Sequence, residues 1–503
     1  MKNFGKLIPF VLLSLALAAC DPINHGEGND EPKSNAANMT RFSFQSSDNS
    51  GMSGTSYATQ ANGVYFITVP EGTDLTKLVP DIVVSEGASV FIDGTAYVPG
   101  TPHDFSGSVQ KVQVVSEDGS QKREFRVCVK TGNRYIDDKV YSFMNDFAVP
   151  GVSVSIMKGT EVVYSSGYGF AVVETDTRCT PDHLFRMASI SKQFCTMCIM
   201  TLKEEGRLRL DDRVFGEGGL LESIPFRVSD YHKTITVRHL LSHSSNICKG
   251  LSDPAFTWSY RMYSNNSPVP TDTLIQRTLN DRWTPYNSNG ATWEAGSAYN
   301  YSNVGFCILH RIVEVVSGKD YESYLKEDVL SKMGVTDTHI GGYREDRRPN
   351  ECVFYMQEGT EGYANPLREL AGAAGIITST NQMMQVLTFM DGDDTVPDIF
   401  SQETLQEMYS PYRYSGAQAL FGSYGETYKR YGLGWRMNHS YYFEGAHYHG
   451  GNIAGTATLW VGHTNKGMSG AFVCNSRAYN SNGTGDIDDN MYVLLNAFFN
   501  YFE

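Results

Sequence analysis

The sequence predicts an α/β (α+β) domain, an antiparallel sheet flanked by helices with a second, helical lobe, preceded by a small all-β sandwich. Three observations predict it. Residues 40–130 are filled by short alternating apolar runs separated by turn residues, with no helical period among them. Strand patterns reappear at Val152 to Met157 and Glu161 to Tyr164, joined by Lys158-Gly-Thr, and then return only from Ala446 onward. Between these strands lies a long, mainly helical middle. One sheet completed by the two ends of the domain is therefore expected, with a cleft between sheet and helical lobe.

The elements follow in chain order. Residues 1–19 combine a basic start, a short apolar run and small residues ahead of Cys20, and the apolar run is shorter than the ~20 residues a membrane span needs. This stretch resembles a bacterial lipoprotein signal. The resemblance implies cleavage before Cys20, lipidation of that cysteine and a membrane partner through the lipid anchor. The mature protein would then sit in the cell envelope of a Gram-negative bacterium, at the periplasmic face or the cell surface. Residues 20–39 are too poor in apolar side chains to form a core and read as a flexible tether. The strands of residues 40–130 resemble the immunoglobulin-like modules that precede catalytic domains in lipoproteins of Bacteroides-type bacteria. A spacer or protein-contact role is expected, with the protein partner unknown, and carbohydrate binding is the alternative. Lys130-Thr-Gly-Asn133 marks a boundary, and a helix from Tyr135 to Phe147 opens the larger domain, residues 134–503. Helices are expected near 304–317, 321–332 and 379–391, and an amphipathic helix from Asp489 to Phe502 closes the chain.

The formal net charge of −15 over 503 residues argues against nucleic acid as a partner. Nine cysteines include Cys20, and the remaining eight lack the spacing of a disulfide framework. They are expected to be mostly free, buried thiols, Cys195-x-x-Cys198 included.

The chemistry centres on Phe185-Arg-Met-Ala-Ser189-Ile-Ser-Lys192-Gln-Phe. If Ser189 opens a helix, Lys192 at i+3 lies on the same face, one turn from the hydroxyl. A nucleophile, a proton acceptor and the N–H groups of a helix start would then share one short segment. Ser108, Ser155 and Ser323 also satisfy S-x-x-K, but Ser108 and Ser155 fall in strand patterns and Ser323 in a charged surface helix. Three further stretches join Ser189. Tyr301-Ser-Asn303 precedes an apolar helix, His449-Gly450-Gly451 lies on a late strand, and Ala371-Gly-Ala-Ala-Gly375 is a small-residue loop entering a helix.

On these motifs, supported by Thr236-Val-Arg-His-Leu-Leu-Ser-His and Tyr431-Gly-Leu-Gly-Trp435, residues 134–503 resemble the serine β-lactamase and penicillin-binding-protein superfamily in its class-C-like branch. The resemblance implies a β-lactamase-like fold and hydrolysis through an acyl-enzyme, acting on esters or on D-amino-acid and peptide amide bonds. It implies Ser189 as nucleophile, with Lys192 and Tyr301 sharing the base and acid work. Asn303, His449, Gly450 and Gly451 would line the substrate site, and the backbone N–H groups of Ser189 and Asn452 would form the oxyanion hole. Tyr263-Ser-Asn265 repeats the second motif but precedes a polar stretch. The substrate would be a small molecule or peptide, and no cofactor or metal is implied.

Departures matter too. His449 stands where β-lactamases carry the lysine of Lys-Thr-Gly, and Gly450 replaces the hydroxyl residue, so carboxylate anchoring is weakened. Ala295 stands where the family commonly has proline. The expectation is a pocket that demands less of a carboxylate, with room beside Gly450, cleaving short esters or small D-amino-acid amides better than cephalosporins. True β-lactamase activity, or a penicillin-binding sensor with slow turnover, is the alternative within the family. Zinc hydrolysis through His239, His243, His447 and His449 is the alternative outside it, disfavoured because no glutamate follows His239.

Overall fold

The computed structural model describes residues 33–247, 255, 269–280, 294–356, 362–363, 365, 367–393, 395–415, 430–438, 441–478 and 486–503. The leader, Cys20, the start of the tether and Tyr263-Ser-Asn265 lie outside the described residues.

The N-terminal region is all-β, as its alternation predicts. Met39–Phe44 pairs between Ser56–Tyr57 and Pro80–Val84, and a second sheet runs Thr59–Ala61, Val64–Val69, Lys122–Thr131, Gln110–Val115, Ser89–Ile92, Thr95–Ala96. The sheets close on a shared core in which Phe42, Phe44 and Phe105 meet edge to face above Ile67, Val112 and Val127.

Asn133 then ends the β region by capping the helix Arg134–Asp146, its side chain accepting from the Tyr135 and Ile136 amides. Beyond that helix stands a seven-stranded antiparallel sheet, ordered Thr177–Arg178, Glu161–Val172, Gly151–Lys158, Met468–Cys474, Thr456–Gly462, His447–Ile453, Arg436–Met437. Its centre pairs Gly151–Lys158 with Met468–Cys474, so both ends of the domain complete one sheet. The face carrying Val152, Val154, Leu459 and Phe472 packs under the first helix and the closing helix Ile487–Phe502. The opposite face, with Trp460 and Val473, packs on the helix Ser191–Glu204 and the helical lobe.

Two local expectations change. The helix expected near 321–332 breaks into an α turn at Tyr321–Tyr324, a π turn at Leu325–Val329 and a 3₁₀ turn at Leu330–Met333. The wider turn re-phases the chain so that Leu325, Val329, Leu330 and Met333 are all buried. The small-residue loop is a single helical turn, Ala371–Ala374, followed by a strand, Ile376–Thr378, that joins Phe185–Arg186 and His339–Ile340 in a sheet too short to show a period in sequence. Among the described residues Cys128, Cys179, Cys195, Cys198, Cys352 and Cys474 are free, buried thiols.

The N-terminal module does not hang as a loose spacer. Its Ala61, Val64, Phe66 and Cys128 belong to the same core as the first and last helices, and Phe66 stacks on Tyr141 at 4.6 Å. Beneath this stack the fully buried Asp137 carboxylate accepts from Thr68 (2.9 Å), Tyr164 (2.6 Å) and Tyr168 (2.7 Å) and pairs with Lys130 at 3.1 Å. Burial pulls the Lys130 ammonium below its usual range, against the opposing pull of Asp137. Asp137→Ala would strand that ammonium and is expected to cost about 3–5 kcal/mol in urea unfolding. Asp137→Asn keeps an acceptor and should cost less. An alanine variant as stable as wild type would show that this joint does not contribute.

Candidate active site

Ser189 does not open the α-helix itself; it lies in the 3₁₀ turn Ala188–Ile190 that leads into Ser191–Glu204. Ala188 is held at φ +48°, the left-handed region, which costs a residue with a Cβ about 1–3 kcal/mol and persists only where packing over-determines it. The packing is visible. The Met187 amide donates to Ile376 O at 2.9 Å, the Ile376 amide to Ser191 Oγ at 2.9 Å, and Thr458 Oγ1 to Met187 O at 3.1 Å.

One turn on, as the spacing predicts, Lys192 Nζ donates to Ser189 Oγ at 3.2 Å. The lysine is fully buried and also donates to Asn303 Oδ1 at 2.6 Å and to Ala373 O at 2.9 Å. Asn303 thus anchors the lysine. Its position follows from local sequence: Ser302 caps the helix Asn303–Ser317 by accepting from the Gly305 amide, and Tyr301 immediately precedes the cap. Lys192 Nζ lies 4.8 Å from the centre of the Tyr301 ring, and the Tyr301 hydroxyl is buried without a hydrogen-bond partner among the described residues.

The strand His447–Ile453 brings the third motif. A Cβ on Gly451 would lie 2.4 Å from Met187 O and 3.0 Å from the Ser189 amide nitrogen, so glycine is required for the strand to approach the nucleophile turn. Asn452 follows, its side-chain amide donating to Asp488. At Gly450, however, the room is taken: the Tyr492 hydroxyl of the closing helix lies 3.3 Å from where a Cβ would stand.

His449 is fully buried and forms one end of a hydrogen-bonded chain. The Ser302 amide donates to His243 Nδ1 (3.1 Å), which leaves Nε2 to donate to Tyr431 Oη (3.0 Å). Tyr431 donates in turn to His449 Nε2 (3.2 Å), and His449 Nδ1 donates to Gly450 O (2.6 Å). The donors assign both tautomers and make both rings neutral. Burial pushes both imidazoles well below their ordinary range, reinforced by Lys192 at His243 and by Arg436 and Lys192 at His449. The ring of His243 supports Tyr301 at 4.2 Å. His239 is engaged in its helix cap and His447 stacks on Tyr409, so the four histidines do not converge. Among the described residues no group of three or more metal-ligating side chains could hold an ion.

Sequence reasoning missed His243 as a support, Tyr431, Arg436 and Tyr492. Tyr431 stood in a quoted phrase, Tyr431-Gly-Leu-Gly-Trp435, whose glycine at 434 is held at φ +78° against Thr196; nothing in the spacing marked its hydroxyl as the link between two motifs.

The buried neutral histidines set a pH dependence. An unfolded chain protonates His243, His447 and His449 below about pH 6.5, whereas burial, aided at His447 by the charge of His463, keeps them neutral when folded. The unfolded state then binds more protons, so stability rises with pH across that window. Asp488, pushed up to about 6 by burial and by Asp486, acts in the opposite sense but is one group against three. Tm is expected to fall as pH is lowered from about 7 to 5; a Tm independent of pH there would contradict the neutral assignment.

Comparison with known proteins bears on the family and the fold. The family model described as Beta-lactamase matches residues 136–494, and one described as SGBP, N-terminal, matches residues 40–129. The chain is 24% identical over 305 residues to penicillin-binding protein 4* of Bacillus subtilis (strain 168), covering 57% of this chain and 60% of that protein's length. Its fold matches the octameric penicillin-binding protein homologue from Pyrococcus abyssi, with a TM-score of 0.59 and 23% identity over 73% of this chain and 77% of that one. It also matches a beta-lactamase/D-alanine carboxypeptidase from Yersinia pestis, with a TM-score of 0.55 and 19% identity over 73% and 100%. With its serine, lysine and tyrosine brought together in a β-lactamase-like fold and the matching model spanning most of its length, the chain belongs to the beta-lactamase family.

Proposed function

We propose that the protein is a serine hydrolase that works through an acyl-enzyme at Ser189, on esters or on D-amino-acid and peptide amide bonds. The observation that carries this reading is the buried Lys192 donating to Ser189 Oγ at 3.2 Å, beside a Tyr301 hydroxyl with no partner among the described residues. Once the Lys192–Tyr301 pair has lost a proton, Ser189 Oγ attacks the substrate carbonyl and its own proton passes to that pair, which returns it to the leaving alcohol or amine. Water then attacks the acyl-enzyme, releasing the acid and restoring the serine. The charge on the carbonyl oxygen is met by the amides of Ser189 and Asn452, on the turn and strand that Gly451 allows to meet.

A neutral His449 offers no cation of its own, which favours esters and D-amino-acid substrates over β-lactams as the reactive class. A fluorophosphonate probe should label wild type and not Ser189→Ala; equal labelling of both would remove Ser189 from this role. In the same assays, nitrocefin turnover above that of every ester and D-peptide tested would make β-lactamase the better description. A stable acyl-enzyme in time-resolved mass spectrometry would point instead to a penicillin-binding sensor.

We infer from the leader that the mature chain is anchored in the cell envelope through lipid on Cys20. Cys20→Ser is expected to move the protein from the membrane fraction to the soluble fraction, and unchanged fractionation would overturn the anchor.

A further inference from the structure

The strand His447–Ile453 is held differently on its two sides. On one side it pairs with Thr456–Gly462 along its whole length, from His447 opposite Gly462 to Ile453 opposite Thr456. On the other, the pairing with Arg436–Met437 stops at Tyr448, so residues 449–453 have no strand neighbour there. An open edge leaves backbone N–H groups for a ligand, and it leaves the placing of the strand to side chains. Alternation puts residues 450 and 452 on one face, and that face meets the closing helix Ile487–Phe502 at two residues one turn apart. The Tyr492 hydroxyl lies beside Gly450, and the Asp488 carboxylate accepts from Asn452 Nδ2. Asn452 Oδ1 is buried without a hydrogen-bond partner among the described residues, so the bond to Asp488 is what orients this side chain. Asp488 is itself fixed, because Asp486 caps the helix and accepts from the Asp488 amide at 2.8 Å.

Asp488 stands between charges of both signs. Asp486 adjoins it on its own helix, Arg477 and Arg436 act on it from the short strands Ser476–Arg477 and Arg436–Met437, and the Cys474 thiol and Tyr492 hydroxyl are within electrostatic reach. Burial is the largest influence and, with Asp486, outweighs both arginines, so the carboxyl is pushed up to about 6. Ionised, it accepts a charge-assisted bond from Asn452; neutral, it offers a weaker one.

We propose that Asp488 is a positioning residue for catalysis, holding the oxyanion strand against the nucleophile turn through Asn452, and holding it more firmly when ionised. The inference rests on the acyl-hydrolase reading above and on the Asn452 amide as an oxyanion donor, and it adds a group that does not touch substrate. A catalytic donor acts only within about 0.5 Å of its place. Charge develops on the carbonyl oxygen in the transition state, so a loosened strand costs kcat more than KM.

The test is the ratio of kcat for wild type to kcat for Asp488→Asn on p-nitrophenyl acetate as a function of pH. Asparagine keeps the shape and an acceptor oxygen but never ionises, and titration of the Lys192–Tyr301 pair is common to both enzymes and cancels in the ratio. The ratio should be about fivefold near pH 8, the difference between a charge-assisted and a neutral hydrogen bond. It should fall toward one as the pH drops below about 6, with KM little changed. A packing role alone would lower kcat equally at every pH. Asn452→Ala keeps the backbone N–H and should lose a similar factor, and adding Asp488→Asn to it should cost nothing more. If Asp488→Asn does not fold, the ratio of wild type to Asn452→Ala reads the same pH dependence. A ratio that is one at pH 8 or does not change with pH, or full additivity of the two substitutions, would overturn the assignment while an active wild type leaves the acyl-hydrolase reading standing. A wild type that neither turns over the ester nor takes the fluorophosphonate label would overturn both.

Discussion

A primary amine with no contact with water must give its protons to acceptors inside the protein, and Lys192 is such an amine. Its acceptors come from three separate segments: Ser189 from the nucleophile turn, Asn303 from the start of a helix, and the Ala373 carbonyl from a small-residue turn. Those segments have to meet at one nitrogen, and much of the surrounding sequence follows from that requirement. Gly372 admits the small-residue turn, because a Cβ there would lie 2.7 Å from Phe306 O. Ser302 caps the helix so that Asn303 becomes its first residue. Ala188 accepts a left-handed backbone so that the serine can precede the helix and still face the lysine.

Around this amine the protein keeps its imidazoles neutral. Burial beside Lys192 and Arg436 disfavours a charged imidazole, and the chain from Ser302 through His243 and Tyr431 to His449 satisfies both rings in their neutral form. The same chain ties the tyrosine loop to the glycine strand, so the two walls of the site are held in register by hydrogen bonds as well as by packing.

The N-terminal module joins on the other side of the sheet. Its contacts run through Phe66, Tyr141 and the Asp137 cluster on the face away from the Ser191–Glu204 helix. It therefore adds buried area without lining the chemistry.

Local patterns in the sequence were enough for the all-β module, the sheet shared between both ends of the domain and the approach of Lys192 to Ser189, whereas the grouping of Tyr301 and His449 with them came from the family resemblance. The first three depend on alternation, capping or an i, i+3 relation, which act over a few residues. Seeing that Asn303 would anchor the lysine, that Tyr492 would fill the space beside Gly450, and that Arg436 would stand near His449 required the tertiary structure. Position 436 meets 448, and 450 meets 492, through strand pairing and helix packing whose partners no short-range period encodes. The His243–Tyr431–His449 chain likewise spans 188 residues in its first link alone. Hydrogen bonds of that reach are set by how the sheet and the helical lobe pack, so their partners become visible only once the chain has folded.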